Sequence, residues 1–192
     1  MNIFILDSDP RNSAEMHCDK HVVKMHVEGI QMLVSVMQRY GINHGVYTKA
    51  GTLHKGGYAN HPCTRWAGDS YANFQWLVKY TAALCEEHTA RYGTVPHSSL
   101  QICDIIEASE KLLRAMEAEG TAGDLTPFAL AMPDEYRSDC AVSSYRNYYI
   151  AEKAPICKWA KGRKAPEWFT RGEKIKKASE KSGQNQTLAV TK

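Results

Sequence analysis

The sequence predicts a mainly α-helical, compact domain of four or more helices, preceded by a short N-terminal strand or arm. Two observations support this prediction. Apolar residues recur at helical spacing over four long stretches, and glycine or proline ends each of them. The 192 residues are 43% hydrophobic and 23% charged, a composition typical of a chain that buries a core. Disorder of the whole chain is therefore excluded.

Each element follows from local signals. The apolar residues 2–6 indicate a short buried strand or an extended arm. The first helical stretch covers 8–40, because Ser8-Asp9-Pro10 combines a capping residue with a proline in the first turn, and a break is expected near Cys18. The second covers 60–92 and the third 98–119.

The fourth helical stretch spans about 139–153, and Pro155 ends it. Two long connections remain, the glycine-rich residues 41–60 and the proline-containing residues 121–138. We expect one helical domain over 1–169. The remaining residues, 170–192, form a basic and then polar tail that we expect to be partly disordered.

Basic charge is concentrated near the C-terminus. Residues 158–181 contain nine Lys and Arg against three Glu, so the net charge of +3 is the sum of +6 here and −3 elsewhere. Trp159 and Trp168 lie among these cations, a pattern that suits stacking on bases and neutralisation of phosphates. DNA or a small nucleotide is therefore the expected partner, and a solubilising tail is the alternative.

Other partners and compartments are constrained by what the sequence lacks. No apolar run approaches the roughly 20 residues that cross a bilayer, and the first residues have no basic region typical of a secretion signal. We therefore expect no membrane association and a cytoplasmic location. The six cysteines include no Cys-x-x-Cys pair, which favours reduced thiols. The oligomeric state stays open.

The first long helix has an unusual distribution of polar residues. On a helical wheel six polar residues of 17–37 fall within a stripe about 80° wide, and almost everything else is apolar. The stripe consists of His17, His21, Lys24, Glu28, Gln31 and Ser35. A helix that is apolar over most of its circumference is buried, so we expect the stripe to face an internal cleft. The alternative is a solvated face on which Lys24 and Glu28 form a routine i,i+4 pair.

A metal site was also considered for the stripe. His17 and His21 have zinc-compatible spacing, and Cys18, His61 or Cys63 would add ligands. The His-Glu-x-x-His context is missing and no third ligand is fixed. We expect neither a metal nor another cofactor.

Three groups of residues are predicted to bind substrate. His17 and Gln31 belong to the polar stripe. A helix start with an anion-binding character contributes Asn60, His61, Arg65 and Trp66. The fourth helix contributes Tyr145, Arg146 and Lys153. Arg65, Arg146 and Lys153 are the expected phosphate contacts. The alternatives are a plain helix cap around Arg65 and tyrosines that belong to the core.

The segment from Asp19 to Glu28 resembles the first helix of the bacteriophage pyrimidine-dimer DNA glycosylase/lyase family, known as endonuclease V. That family has an Asp-x-His followed by a catalytic glutamate at the interval that separates His21 from Glu28. The resemblance implies a phage-type enzyme in the host cytoplasm that acts at the N-glycosidic carbon of a damaged or modified pyrimidine. It assigns the proton-transfer role to Glu28, with His21 and Lys24 as its partners.

This sequence differs from that family at the residue expected to supply the nucleophile. Its members attack the sugar C1′ with an α-amine that removal of the initiator Met exposes before a small residue, whereas Asn2 follows Met1 here. Three alternatives remain: the amine of Met1, Lys24 with a pKa lowered by burial, or no covalent step, with Glu28 activating water. Lyase activity depends on which one holds.

Two other functions use the same residues. A non-catalytic protein that binds a small nucleotide, such as a phage counter-defence sponge, would clamp phosphates with the same cations. An enzyme of base hypermodification would bind an altered pyrimidine at the same site.

Overall fold

The computed structural model describes residues 2–182, with side chains through residue 180, and confirms the mainly α-helical fold. Its helices are α1 (Pro10–Met16), α2 (Asp19–Arg39), α3 (Pro62–Ala67), α4 (Tyr71–Tyr92), α5 (Ser98–Ala118), α6 (Ala141–Tyr148) and α7 (Glu167–Ser182). A π-helical turn, Tyr149–Lys153, continues α6. No strand occurs among the described residues.

The helix starts and stops mostly follow the expected signals. Asp9 caps α1 by accepting a hydrogen bond from the Asn12 N–H at 2.8 Å, and Pro10 opens the helix. The expected break falls between α1 and α2, where His17 and Cys18 have extended backbone angles. Gly93 ends α4 in the left-handed conformation, with φ at 69°.

The predicted helix over 60–92 is in fact two helices. The first, α3, ends at Gly68, and Ser70 then adopts an extended conformation. The Ser70 hydroxyl accepts a hydrogen bond from the Asn73 N–H at 3.1 Å and starts α4. A serine two residues after a glycine is a stop signal followed by a start signal, and the continuous apolar pattern masks this.

The N-terminal segment is an arm and not a strand. Residues 2–6 are almost completely buried, but their backbone groups bond to side chains instead of a neighbouring strand. The Asn2 Oδ1 accepts from the N–H groups of Ile3 and Phe4, and the Ser13 hydroxyl accepts from the Leu6 N–H at 3.0 Å. Phe4 has a φ of 41°, which a regular strand does not allow.

The centre of the molecule is α2, which packs against α3, α4 and α5. Gly29 lies where α2 meets α4, and a Cβ at this position would overlap the Thr81 side chain. Opposite the buried polar stripe, Val23 and Val27 are 43% and 44% exposed. In α2, therefore, several polar residues face inward and two valines face outward.

The C-terminal region is helical as far as it is described. The boundary drawn between residues 169 and 170 falls inside α7, which begins with the buried Trp168 and Phe169. The Lys176 Nζ donates to the Ala151 carbonyl at 2.9 Å and ties α7 to the π-helical turn. Residues 183–192, also predicted to be disordered, lie outside the described residues.

None of the helices described is both long enough and apolar enough to cross a membrane.

Candidate functional site

Glu28 lies in the middle of α2 and is 7% exposed. Its Oε2 accepts a hydrogen bond from the backbone N–H of Asn2 at 3.0 Å. Its Oε1 forms an ion pair with the Lys24 Nζ, one turn earlier, at 3.0 Å. The carboxylate is therefore held between its own helix and the N-terminal arm, and its orientation is fixed from both sides.

The arm is held in place by contacts on both sides of Asn2. The Asn2 Nδ2 donates to the Ala131 carbonyl at 2.7 Å. The Tyr80 hydroxyl on α4 donates to the Ile3 carbonyl at 2.6 Å. These bonds explain why a chain segment without regular structure presents its backbone nitrogen to Glu28 in a defined position.

Lys24 differs from Glu28 in exposure. Its side chain is 63% exposed, whereas the Glu28 side chain is 10% exposed. The burial on which the Lys24 nucleophile alternative depends is therefore absent. Lys24 contacts the carboxylate from the solvent side, where a cation also attracts phosphate.

His21 packs against the arm and not against Glu28. It lies two turns before Glu28, about 10 Å along the helix axis, and its ring stacks on Phe4 with centroids 4.7 Å apart. Burial lowers the pKa of His21 to about 4, and the charges of Lys153 and Lys24 add to this effect. Its Nδ1 is buried without a hydrogen-bond partner among the described residues. At neutral pH His21 is an uncharged ring that holds the arm.

His17 belongs to the core. It is completely buried, its Nδ1 donates to the Ser13 carbonyl at 2.8 Å, and its Nε2 lies 2.8 Å from the Tyr80 hydroxyl. Burial lowers its pKa to about 3. Because His17 is completely buried, with its ring nitrogens directed at Ser13 and Tyr80, it cannot reach a substrate, and we leave it out of the proposed site.

The other end of the polar stripe is covered by the glycine-rich loop. The Ser35 hydroxyl accepts a hydrogen bond from the Gly57 N–H at 2.8 Å, and Gly57 packs on the half-buried Gln31 side chain. The stripe is therefore covered by two different segments: the arm over its first half and the loop 41–60 over its second half.

The start of α3 separates into a part near Glu28 and a part that belongs to the core. His61 caps α3 by accepting from the Cys63 N–H at 3.2 Å. Burial lowers the pKa of His61, and the charge of Glu28 partly opposes this effect, so the two groups lie close enough to interact. Asn60 and Arg65 are exposed. Trp66 is 4% exposed, and its ring lies 5.2 Å from that of Phe128, as in an ordinary core.

The residues chosen on α6 point in different directions. Tyr145 is completely buried, and its hydroxyl donates to the Ala129 carbonyl at 2.7 Å. Arg146 donates to the Leu6 carbonyl at 2.9 Å and lines a separate cavity of about 490 Å³ with Trp168. Lys153 is the member that lies next to the arm, because its Nζ is 4.6 Å from the centroid of the Tyr148 ring, which stacks on Phe4.

Two residues that belong to the arm or contact it were not selected from the sequence. Asn2 supplies the N–H that contacts the carboxylate. Tyr148 is half-buried, lies 6.0 Å from Phe4 between ring centroids, and carries Lys153 over its ring at 4.6 Å. Phe4 therefore lies between His21 and Tyr148, and the row of rings ends beside a lysine. The tyrosine-rich sequence of α6 indicated aromatic contacts but not which tyrosine is accessible.

A metal site has no support among the residues that the structure describes. There, no group of three or more His, Cys, Asp and Glu side chains lies close enough to hold an ion. His17 and His21 have ring centroids 6.0 Å apart, and the Nδ1 of His17 already donates to the Ser13 carbonyl.

Comparison with known proteins gave one match. The family model described as pyrimidine dimer DNA glycosylase matches residues 1–100, which include the arm, Glu28 and the start of α3. No curated protein and no solved structure matches the chain.

Proposed function

Because the chain belongs to the pyrimidine dimer DNA glycosylase family, we propose that it releases a damaged or modified pyrimidine from DNA. The reaction breaks the N-glycosidic bond at the sugar C1′. Glu28 is the proposed acid/base, and its carboxylate also stabilises the positive charge that develops on the sugar as the base leaves.

The observation that carries this proposal is the position of Glu28. A carboxylate that is 7% exposed, hydrogen-bonded to Asn2 and paired with Lys24 is held in one orientation. Such an orientation is costly to maintain for structure alone, because an arm without regular structure must be fixed beside it. A preorganised carboxylate is what stabilisation of a developing charge requires.

Lyase activity requires an amine at the same place. The backbone nitrogen of Asn2 is 3.0 Å from the carboxylate, so an amine carried by the first residues would lie close to Glu28. Met1 itself is outside the described residues. Lys24 Nζ is also 3.0 Å from the carboxylate, but it is exposed. We therefore favour the amine of Met1 over Lys24, and a direct attack by water is the third alternative.

The proposed DNA contacts lie beside the arm and on α3. Lys153 and Tyr148 offer a cation and a ring next to the arm, which suits a phosphate and a base. The exposed Arg65 extends the same role to α3. Residues 158–177 are the proposed sequence-independent contact with the DNA backbone.

The substitution Glu28→Gln tests the proposal. Glutamine keeps an oxygen that accepts the Asn2 N–H but loses the negative charge and the proton-transfer role. We expect base release from DNA containing pyrimidine dimers to fall by about 10²- to 10⁴-fold. Single-turnover assays measure this rate, and far-UV circular dichroism checks that the helices are retained.

The matched control is Glu117→Gln, an exposed position on α5, which should leave the rate unchanged. An undiminished rate in Glu28→Gln rules out the assignment. Glu28→Asp is a second variant, which keeps the negative charge on a side chain that is one methylene shorter, and we expect an intermediate rate.

A borohydride trap identifies the nucleophile. Reduction of a Schiff base links the protein covalently to DNA, and peptide mapping then locates the amine. An adduct on the N-terminal peptide supports the arm, and an adduct on the peptide containing Lys24 contradicts our preference. Base release without an adduct identifies a monofunctional glycosylase.

The same assay separates the two other functions. Stoichiometric retention of a nucleotide without release of a base would favour a nucleotide-binding sponge. Conversion of a base that stays attached to the DNA would favour hypermodification.

A further inference from the structure

Two cysteines meet where the C-terminal region joins the start of α2, outside the proposed glycosylase site. Cys18 is the residue that precedes α2, and Cys157 follows the short helical turn at 154–156. The residues that follow them, Asp19 and Lys158, share a backbone hydrogen bond, and each thiol shifts the pKa of the other. They are 139 positions apart in the sequence, so only the fold brings them together.

The backbone on both sides of this contact is already fixed. The Asp19 N–H donates to the Lys158 carbonyl at 2.8 Å, immediately after each cysteine. The Asp19 Oδ2 accepts from the Ala160 N–H at 2.7 Å. A bond between the two sulfurs would therefore join segments that are docked, and a disulfide requires such proximity of the two backbones.

The surroundings favour loss of one proton from the pair. The pKa of Cys18 is lowered to about 6 and that of Cys157 is raised, and the interaction between the two thiols is the largest cause of both shifts. Burial of Cys18 opposes the lowering of its pKa, and the Tyr149 hydroxyl adds to it. The N–H groups of Lys20 and His21, at the start of α2, act in the same direction. A thiolate is the form of cysteine that reacts with oxidants.

An oxidant can reach one of the two sulfurs from solvent. Cys18 is completely buried, whereas Cys157 is half-buried. In contrast, Cys63 and Cys85 are both buried, and burial raises the pKa of each to about 11. Cys103 and Cys140 are exposed.

We propose that Cys18 and Cys157 are an oxidisable thiol pair that a peroxide converts into an intramolecular disulfide. The pair shares one proton, and transfer of this proton to Cys18 leaves the accessible Cys157 as the thiolate. Hydrogen peroxide oxidises this thiolate to a sulfenic acid, with release of one water. The Cys18 sulfur then attacks the Cys157 sulfur, the S–S bond forms and the hydroxyl group leaves as a second water. Two thiols and one hydrogen peroxide thus give one disulfide and two waters.

Peptide mapping of the full-length protein tests this proposal. The background is Cys103→Ser/Cys140→Ser, which removes the two exposed thiols and their intermolecular products. After treatment with hydrogen peroxide and blocking of free thiols, trypsin releases residues 12–20 with Cys18 and residues 154–158 with Cys157. We expect these two peptides to be joined, with a loss of two hydrogen atoms, at a rate independent of protein concentration.

Two variants control for folding. Cys18→Ser keeps a residue that is preferred before a helix, and Cys157→Ser changes a half-buried position. Each should prevent the cross-link and retain the far-UV spectrum. In the unsubstituted pair, oxidation should raise the thermal midpoint by several degrees, and neither serine variant should show this rise.

The proposal is overturned if Cys157 accumulates as sulfenic acid without a cross-link in the folded protein. It is also overturned if the two peptides are joined only after unfolding in urea. Because no DNA is used, failure here has no bearing on the role of Glu28.

Discussion

Three buried imidazoles set the response of this protein to acid. His17, His21 and His26 are all 5% exposed or less. Burial is the largest cause that lowers their pKa values, to about 3, 4 and 4. In the unfolded chain these imidazoles become protonated near pH 6.5, whereas in the folded protein they stay neutral down to about pH 4.

Stability should therefore fall as the pH decreases from about 6.5 to about 4, and it should not return at lower pH. Each pKa unit corresponds to about 1.4 kcal/mol per histidine. Urea denaturation at pH 7 and pH 5 measures the difference. We expect His21→Gln to have a smaller difference than the unsubstituted protein.

The control is His97→Gln at a half-buried position on the surface, where the difference between pH 7 and pH 5 should be unchanged. Equal pH dependence in the His21→Gln and unsubstituted proteins would contradict the assignment of the acid response to the buried ring.

Sequence reasoning at this scale identified residue types better than their environments. His21, Lys24 and Glu28 were selected together because they share one face of a helix. Spacing along the helix does not reveal that Phe4 covers His21 while Lys24 reaches solvent, because the covering residue comes from a different part of the chain. Asn2 was noted only for its size, yet its backbone contacts Glu28.

At the scale of elements, the close approach of α2 to α4 determines where Glu28 lies. Gly29 follows Glu28, and the Thr81 Cγ2 would be 2.9 Å from a Cβ on residue 29. Real Cβ atoms do not approach other carbons so closely, so any larger residue separates the helices.

We expect Gly29→Ala to lower the free energy of unfolding by about 1–3 kcal/mol, because overpacking outweighs the better helix propensity of alanine. Urea denaturation measures this change. In a Thr81→Ala background the same substitution should cost less, since most of the overlapping atoms are gone. Equal costs in both backgrounds would show that the contact does not limit the packing.

The sequence predicted that the polar stripe of α2 faces inward, and it predicted most helix ends. What covers the polar stripe was not predicted. The arm 2–6 and Gly57 of the loop provide the cover, and neither segment has a periodic pattern that shows its position. The split between α3 and α4 was missed because the apolar pattern continues on both sides of Gly68 and Ser70, and this continuity hides the stop and start signals of these two residues.

At the scale of the whole molecule, one arginine joins three parts of the chain. Arg91 on α4 has a side chain that is 1% exposed. It donates to the Glu15 and His17 carbonyls at the end of α1, to Asp19 on α2, and to Glu87 on its own helix. Arg163 also binds Glu87, so the C-terminal region joins the same network.

We expect Arg91→Ala to lower the free energy of unfolding by about 3–5 kcal/mol, because Asp19 and Glu87 would be left buried without this partner. Arg114→Ala removes an exposed i,i+4 pair on α5 and should have little effect. Urea denaturation at neutral pH compares them. Similar losses in both variants would contradict a special role for the buried network.

The basic C-terminal region also belongs to the scale of the whole molecule, because its charge is expected to attract DNA over long distances. Lys161 and Lys164 are exposed cations in the segment of charge +6. We expect Lys161→Ala/Lys164→Ala to reduce the slope of log K against log salt concentration by about 2 for DNA binding. Fluorescence anisotropy measures this slope, Lys111→Ala on α5 is the control, and an unchanged slope would exclude these contacts.

The two outward valines of α2 have a practical consequence for anyone who redesigns this surface. A design rule that assigns charged residues to exposed positions and apolar residues to buried ones would replace Val23 and Val27 with polar residues. Applied to the same helix without an exception, that rule would also replace the buried Glu28 with an apolar residue and so remove the proposed acid/base.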